Sequence, residues 1–135
     1  MVRKELFEKI SEVIGHDVPS VKHIALWNEN VTFIDEDDAW ERPAVFVEFG
    51  AIQWSPFKAN VHRGTGTVRL HIVTDYVDGG DTAGFALSSQ LKRALDGLRR
   101  DTFGPLRLNL SVTNHNHEEI LETVDEYLVN YLLVL

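Results

Sequence analysis

Six histidines, at positions 16, 23, 62, 71, 115 and 117, have the widest chemical reach in this chain. The densest polar cluster is Asn114-His115-Asn116-His117-Glu118-Glu119. On a strand His115 and His117 face the same way, and Glu118 or Glu119 can complete a divalent-metal site of imidazole and carboxylate ligands. Such a site would make the chain a metal-dependent enzyme. The competing reading is a polar turn after a strand, because motifs this short arise often without a metal. Asp35-Glu36-Asp37-Asp38 is a second cation candidate. It lacks the alternating ligands and the glycine of an EF-hand loop, and reads as a solvated acidic loop. Cysteine is absent, which excludes thiolate metal ligands and a thiol nucleophile. None of the serines lies in a G-x-S-x-G elbow. Arg63-Gly64-Thr65-Gly66-Thr67 has two glycines at GxG spacing, but lacks the third glycine and leads into a strand rather than a helix. It reads as a flexible loop entry. Gly79-Gly80, ahead of a helix, has the position of an anion site and the composition of a loop. No catalytic residue, cofactor-binding residue or metal ligand is assigned.

The elements that would position these residues follow from periodicity. Leu6, Phe7, Ile10, Val13 and Ile14 recur at helical spacing, so residues 2–14 form an amphipathic helix with Gly15 as its stop. Residues 21–27 read as a short strand and 28–42 as a polar, acidic loop. Pro43 opens an extended segment over 43–54, with a bulge at Gly50, and Ser55-Pro56 ends it. Residues 57–66 read as a basic loop. From Thr67 the alternation is sharp: Val68, Leu70 and Ile72 point one way, and Arg69, His71 and Val73 the other. A loop from Asp75 to Gly84 follows, then a helix over 83–98 with Asp81 or Thr82 as its cap. The helix stripe is Phe85, Leu87, Leu91, Ala94, Leu95 and Leu98, and Gly97 marks its end. Leu106 to Val112 alternates as a strand. The segment from Glu118 to Leu135 fits both a helix and a strand. We read a helical turn at 118–122 and a strand from Val124, apolar on both faces over Tyr127–Leu135 and therefore central and covered on both sides.

These elements describe one α+β domain, a mostly antiparallel sheet packed with two main helices, spanning residues 1–135. The length suits one domain. Thirteen basic and 21 acidic residues leave a net charge of −8, which argues against a domain that grips nucleic acid through its phosphates. No apolar window approaches the ~20 residues of a membrane span, and no signal peptide follows Arg3 and Lys4. The expected compartment is the cytoplasm or an assembly made there. The acidic stretches are Asp35–Asp38 and Glu118–Glu126; the basic ones are Lys58–Arg63 and Lys92–Arg100. That asymmetry suits pairing between subunits. Trp27 reads as core. Trp40, within Ala39-Trp40-Glu41-Arg42, reads as a partly exposed anchor for protein contact.

Four stretches carry a family resemblance. They are the helix Arg3–Ile14 ahead of a strand ending in Trp27, the Pro-led strand Arg42-Pro43-Ala44-Val45-Phe46-Val47-Glu48-Phe49, the strand Thr67–Tyr76 with its Gly/Asp loop and helix 83–98, and Val112-Thr113-Asn114-His115-Asn116-His117 feeding a last strand through Tyr127 and Tyr131. In this pattern the chain resembles the bacteriophage tail-terminator (tail-completion) family. The resemblance implies a non-enzymatic virion protein without cofactors, assembled in the bacterial cytoplasm. It implies a homo-oligomeric ring, commonly a hexamer, that caps the tail tube and faces the head–tail connector. The implied partners are further copies of itself, the tail tube protein and the connector protein, with no specific nucleic-acid binding and no membrane. Two other readings remain beside it: a small acidic adaptor using the acidic loop and Trp40, and the metal-dependent enzyme built on His115 and His117.

Overall fold

A computed structural model describes residues 2–27, 40–75, 81–117 and 120–135; of residues 81–82 and 113–117 it describes the backbone alone. The order is α1 (Val2–Asp17), β1 (His23–Leu26), β2 (Ala44–Lys58), β3 (Val61–Asp75), α2 (Asp81–Leu95), β4 (Arg107–His117) and β5 (Ile120–Val134). The strands form one sheet in the order β1-β2-β3-β5-β4. The β1–β2 pair is parallel and the other three pairs are antiparallel. This is the expected α+β architecture.

Both helices lie on one face of the sheet, against each other and against β5. Helix α1 turns Val2, Leu6, Ile10 and Ile14 inward, four residues apart, so they stack on one stripe. It continues past the expected stop at Gly15 to Asp17, and the Val18 amide still donates to the Ile14 carbonyl. Helix α2 buries Leu87, Leu91 and Leu95 against the sheet. Phe85, expected on that stripe, is exposed. The helix ends at Leu95 rather than 98, and Gly97 takes the left-handed conformation (φ 80°) just beyond. The main core joins these side chains to Val45 and Val47 of β2, Val68, Leu70 and Ile72 of β3, and Tyr127, Val129 and Tyr131 of β5. The alternation read from Thr67 onward is therefore the buried face of β3. A second cluster of Trp40, Ala44, Phe46, Val73 and Ile120 sits on the opposite face.

Three expectations fail in the strands. Ser55-Pro56 does not end β2, which runs to Lys58, and residues 57–66 are not a loop. A two-residue turn at Ala59-Asn60, with Ala59 at φ 45°, closes a hairpin of two 15-residue strands, about 50 Å long at ~3.3 Å per residue. An edge strand tolerates proline, whose missing N–H costs no ladder bond when the nitrogen points outward. β1 pairs only with Ala44–Val47, so among the described residues the rest of β2 is such an edge. Second, there is no helical turn at 120–122, because β5 already pairs with β3 from Ile120; residues 118 and 119 lie outside the described residues. Third, β5 lies between β3 and β4, but it is buried on both faces only over Ile120–Tyr127; beyond Tyr127, where two-sided cover was expected, one face is open, with Leu128 45% exposed and Leu132 40%. The bulge expected at Gly50 is present, as a register shift between Phe49 and Ile52. A Cβ at Gly50 would fall 2.1 Å from Thr67 Oγ1, so the strands touch where the glycine stands.

Candidate assembly surfaces

The face of the sheet opposite the helices carries the polar residues that β3 and β5 alternate with their core positions. His71 is its centre. Its imidazole stacks on Trp27 with ring centroids 3.7 Å apart and planes 4° from parallel. Nε2 lies 2.8 Å from Glu48 Oε1, and Nδ1 lies 2.5 Å from Glu122 Oε2. The register explains the meeting, since Phe46 and Val124 are the cross-strand neighbours of His71 on β2 and β5. Glu48 and Glu122 then fall two residues away on the same face. With both carboxylates ionised, only an imidazolium donates to each. Trp40 packs edge-on against Phe46 at 5.0 Å and is 5% exposed, so it is a core residue and not the exposed anchor expected. Arg42 sits over the Trp40 ring and pairs with Asp75.

The acidic stretch Glu118–Glu126, expected to face a partner, is instead engaged internally wherever it is described. Asp125 is fully buried on the helix side and accepts from Ser88 Oγ of α2 (2.5 Å) and Ser111 Oγ of β4 (2.6 Å). Glu126 accepts from Arg69 Nε (2.9 Å) and Asn109 Nδ2 (2.8 Å). Those two donors, Arg69 first, hold the Glu126 carboxyl below the usual carboxylate range. These ties fasten the edge strand β4 to the body of the sheet. Beside them Leu110, Val112, Val124, Arg69, His71 and Glu126 line a shallow hollow of about 150 Å³.

A larger opening lies at the other end of the sheet. Here β2, β3 and β5 run beyond the helices as a three-stranded arm. Gly64 and Gly66, read as a loop entry, are strand residues. Trp54 and Ile52 pack where a Cβ at Gly64 would stand, 2.7 Å away, and Trp54 reaches Tyr131. The turn after α2 is stitched to the arm. The Gly97 amide donates to the Leu106 carbonyl, the Leu106 amide to Leu98, the Gly104 amide to Asn130, and the Leu132 amide to Thr102. Buried Phe103 bridges to Tyr131. Between turn and arm is a cleft of about 640 Å³ whose lining includes Arg63, Arg99, Arg100, Asp101, Phe57 and Asn130. The Arg63 guanidinium lies 3.7 Å over the Phe57 ring. Thr102, on the same turn, donates to Glu5 of α1 and is the main reason the Glu5 carboxyl is held low, with Arg100 adding to it.

The other predicted site residues lie wholly or partly outside the described residues. His115 and His117 lie on β4, with side chains outside the described residues. Glu118, Glu119, the run Asp35–Asp38 and Gly79-Gly80 are likewise outside. Among the described residues no group of three His, Asp or Glu side chains is arranged to hold a metal ion. No described helix is long and apolar enough to cross a membrane.

The fold has a solved counterpart. A chain of the "Virion of native gene transfer agent (GTA) particle" superposes with a TM-score of 0.55, over 92% of this chain and 84% of that one. Identity between the two is 8%, so the likeness is one of fold. No protein-family model matches the sequence, and no curated protein matches it.

Sequence reasoning missed the Asp125 and Glu126 ties, the His71 pair and the arginine cleft. Each depends on partners that only the register and the 97–106 turn bring together. The signal available was the presence of acidic residues at strand positions on both sides of buried Val124.

Proposed function

We propose that this chain is a structural subunit of a phage-type virion that caps the tail tube as an oligomeric ring and meets the head connector. The observation that carries the reading is the fold shared, over nearly the whole chain, with a chain of a gene transfer agent virion. The pattern resemblance to tail terminators supplies the finer assignment. The surface chemistry agrees with a protein that works by contact. Among the described residues the outer edge of β2 beyond Val47 has no partner strand, and neither has the outer edge of β4. Leu108, Leu110 and Val112 are exposed on β4, and Trp54 and Phe57 on the arm. Open strand edges with apolar side chains are aggregation sites unless something covers them. Subunit and tube contacts would do so. In this reading the role is non-catalytic and the place of action is the virion.

The test is tube polymerisation. Tail tube protein is assembled with and without this chain, and tube lengths and ends are imaged by negative stain. Shorter tubes with an added ring at one end support the reading. Tubes that keep growing with the chain absent from their ends contradict it.

A further inference from the structure

We propose that the arm's face opposite the helices is a binding site for the phosphodiester backbone of duplex DNA, held without regard to base sequence. The inference goes beyond the capping reading and does not depend on it.

The arm is a local exception to the chain's acidity. No acid occurs in residues 49–74, 102–117 or 127–135, whereas Lys58, Arg63, Arg69 and Arg107 do. Eight of the 21 acids, at 29, 35–38, 78 and 118–119, lie outside the described residues, and they equal the whole net charge of −8. The described residues carry thirteen acids and thirteen bases. The charge that argues against a phosphate grip therefore belongs to other segments, and the arm is basic.

Register sets the arm's donors in rows. Arg63, Thr65 and Thr67 alternate to the face of β3 that His71 occupies further along, away from the helices. Ser55 stands beside Arg63, and Gln53 and Asn130 flank Thr65. Leu128 lies between Thr67 and Arg107 of β4. The cleft that holds Arg63, Arg99 and Arg100 shares Thr65 and Asn130 with a neighbouring opening of about 760 Å³ that reaches Arg107. The two run together as one trough. Four guanidiniums line it, against a single carboxylate, Asp101, among the described residues. Among the described residues, none of the four arginines comes within ion-pair distance of a carboxylate. Glu5, which Arg100 helps to hold low, is already engaged by Thr102.

Guanidiniums backed by Ser, Thr, Asn and Gln side chains are the donors that phosphate oxygens take along a nucleic-acid backbone, and such contacts carry no sequence information. Stacking on Phe57 covers one face of the Arg63 guanidinium and leaves its edge free to donate. Arg99 and Arg100 sit on a turn held to itself and to β5 by backbone hydrogen bonds, so they lose little freedom on binding. From the Arg63 row to the Thr67–Arg107 row is four residues of β3, about 13 Å at ~3.3 Å per residue. One DNA strand carries a phosphate every ~3.4 Å of axis, so about four fall within that span, one for each arginine.

The test is the fluorescence anisotropy of a labelled duplex of about 20 base pairs, titrated with the full chain between about 50 and 200 mM salt. Four phosphate contacts predict a slope of about −3.6 for log affinity against log salt, a loss of roughly 150-fold across that range. R63Q/R107Q keeps two of the four arginines, and it should bind at least about tenfold more weakly at ~50 mM salt, with a slope near about −1.8. R99Q/R100Q should behave alike. K4Q/K9Q removes the same charge from α1 and should leave affinity and slope unchanged. Thermal midpoints check that each variant folds. A duplex left unbound at low salt, trough variants that bind like the parent, or an equal loss in K4Q/K9Q overturns the proposal. A polyglutamate peptide that binds where the duplex does not, and is lost in R99Q/R100Q, would make the trough a dock for an acidic protein segment and also overturn it. Tube capping is read separately, so these outcomes leave that reading standing.

Discussion

Asp125 offers the sharpest test of how the fold is fastened. It is fully buried, and its two oxygens accept from Ser88 on α2 and Ser111 on β4, while Lys92 Nζ stands 4.0 Å from Oδ1. One carboxylate thus joins the helix layer, the central strand and the edge strand. Asp125→Ala removes two charge-assisted hydrogen bonds and leaves Ser88 Oγ buried without its acceptor. Each such loss is worth about 1.5–3 kcal/mol, partly offset by no longer burying a charge, for a net near 3 kcal/mol. Unfolding entropy of ~2.1 cal/mol/K per residue converts that into a fall in midpoint of roughly 10 °C for a chain of this length. Asp125→Asn keeps one oxygen to accept from a serine and gains an amide that donates to the other, so it should cost under about 1 kcal/mol. The assay is thermal unfolding at a fixed low protein concentration, since self-association would shift the midpoint. An Asn variant as unstable as the Ala variant would mean that charge near Lys92, not hydrogen bonding, is what Asp125 supplies. An Ala variant within about 1 kcal/mol of the parent would refute the staple altogether.

Other outcomes follow from the same geometry. Glu126 is held below its ordinary value of 4.5 by Arg69 and Asn109, so its stabilisation is present above that pH and lost as pH falls through the depressed folded value. Acid unfolding of Glu126→Gln should therefore be less steep than that of the parent, and parallel curves would contradict the assignment. Gly64→Val would drive a side chain into Trp54 and Ile52; overpacking of about 1–3 kcal/mol and faster amide exchange over residues 52–58 are expected, and unchanged exchange would count against the packing described. Burial pushes the Tyr131 phenol up to about 12 and Tyr127 higher still, so ultraviolet titration should show both ionising well after the ordinary 10.0. Because these folded values are raised, the stability concerned is complete below pH 10 and drains away as pH rises through them. Phenols that titrate near 10 with the fold intact would exclude the burial. His71→Leu should leave Glu48 and buried Glu122 without the imidazole between them and destabilise by about 3 kcal/mol, with altered Trp27 fluorescence; neither change would be seen if the cluster were incidental.

Much of the fold is legible in the residues because its core obeys simple periods. The stripe Leu6-Ile10-Ile14, the stripe Leu87-Leu91-Leu95 and the alternation Val68-Leu70-Ile72 all turned inward as their spacing requires. What local patterns hide is tolerance supplied from elsewhere. Pro56, Gly64 and Gly66 look like breakers, yet β2 is an edge there, and Trp54 and Ile52 fill the space beside Gly64. Trp40 sits among polar neighbours in sequence but is covered through Phe46 and His23. Glu122, Asp125 and Glu126 read in sequence as part of an acidic stretch suited to pairing between subunits. Their partners come from three other elements, at sequence separations from 14 to 57, and only the register reveals them. The arginine cleft was half legible: Lys58–Arg63 and Lys92–Arg100 stood out as basic, but the turn that brings Arg99 and Arg100 to Arg63 did not.

The central claim is that this chain works as one subunit of a closed ring. Its most direct test is the mass distribution of the unmodified chain as concentration rises, read by light scattering and single-particle mass measurement. The account predicts one discrete oligomer of several copies whose mass then stops increasing. A chain that stays monomeric throughout, or one that adds copies without limit, would contradict it.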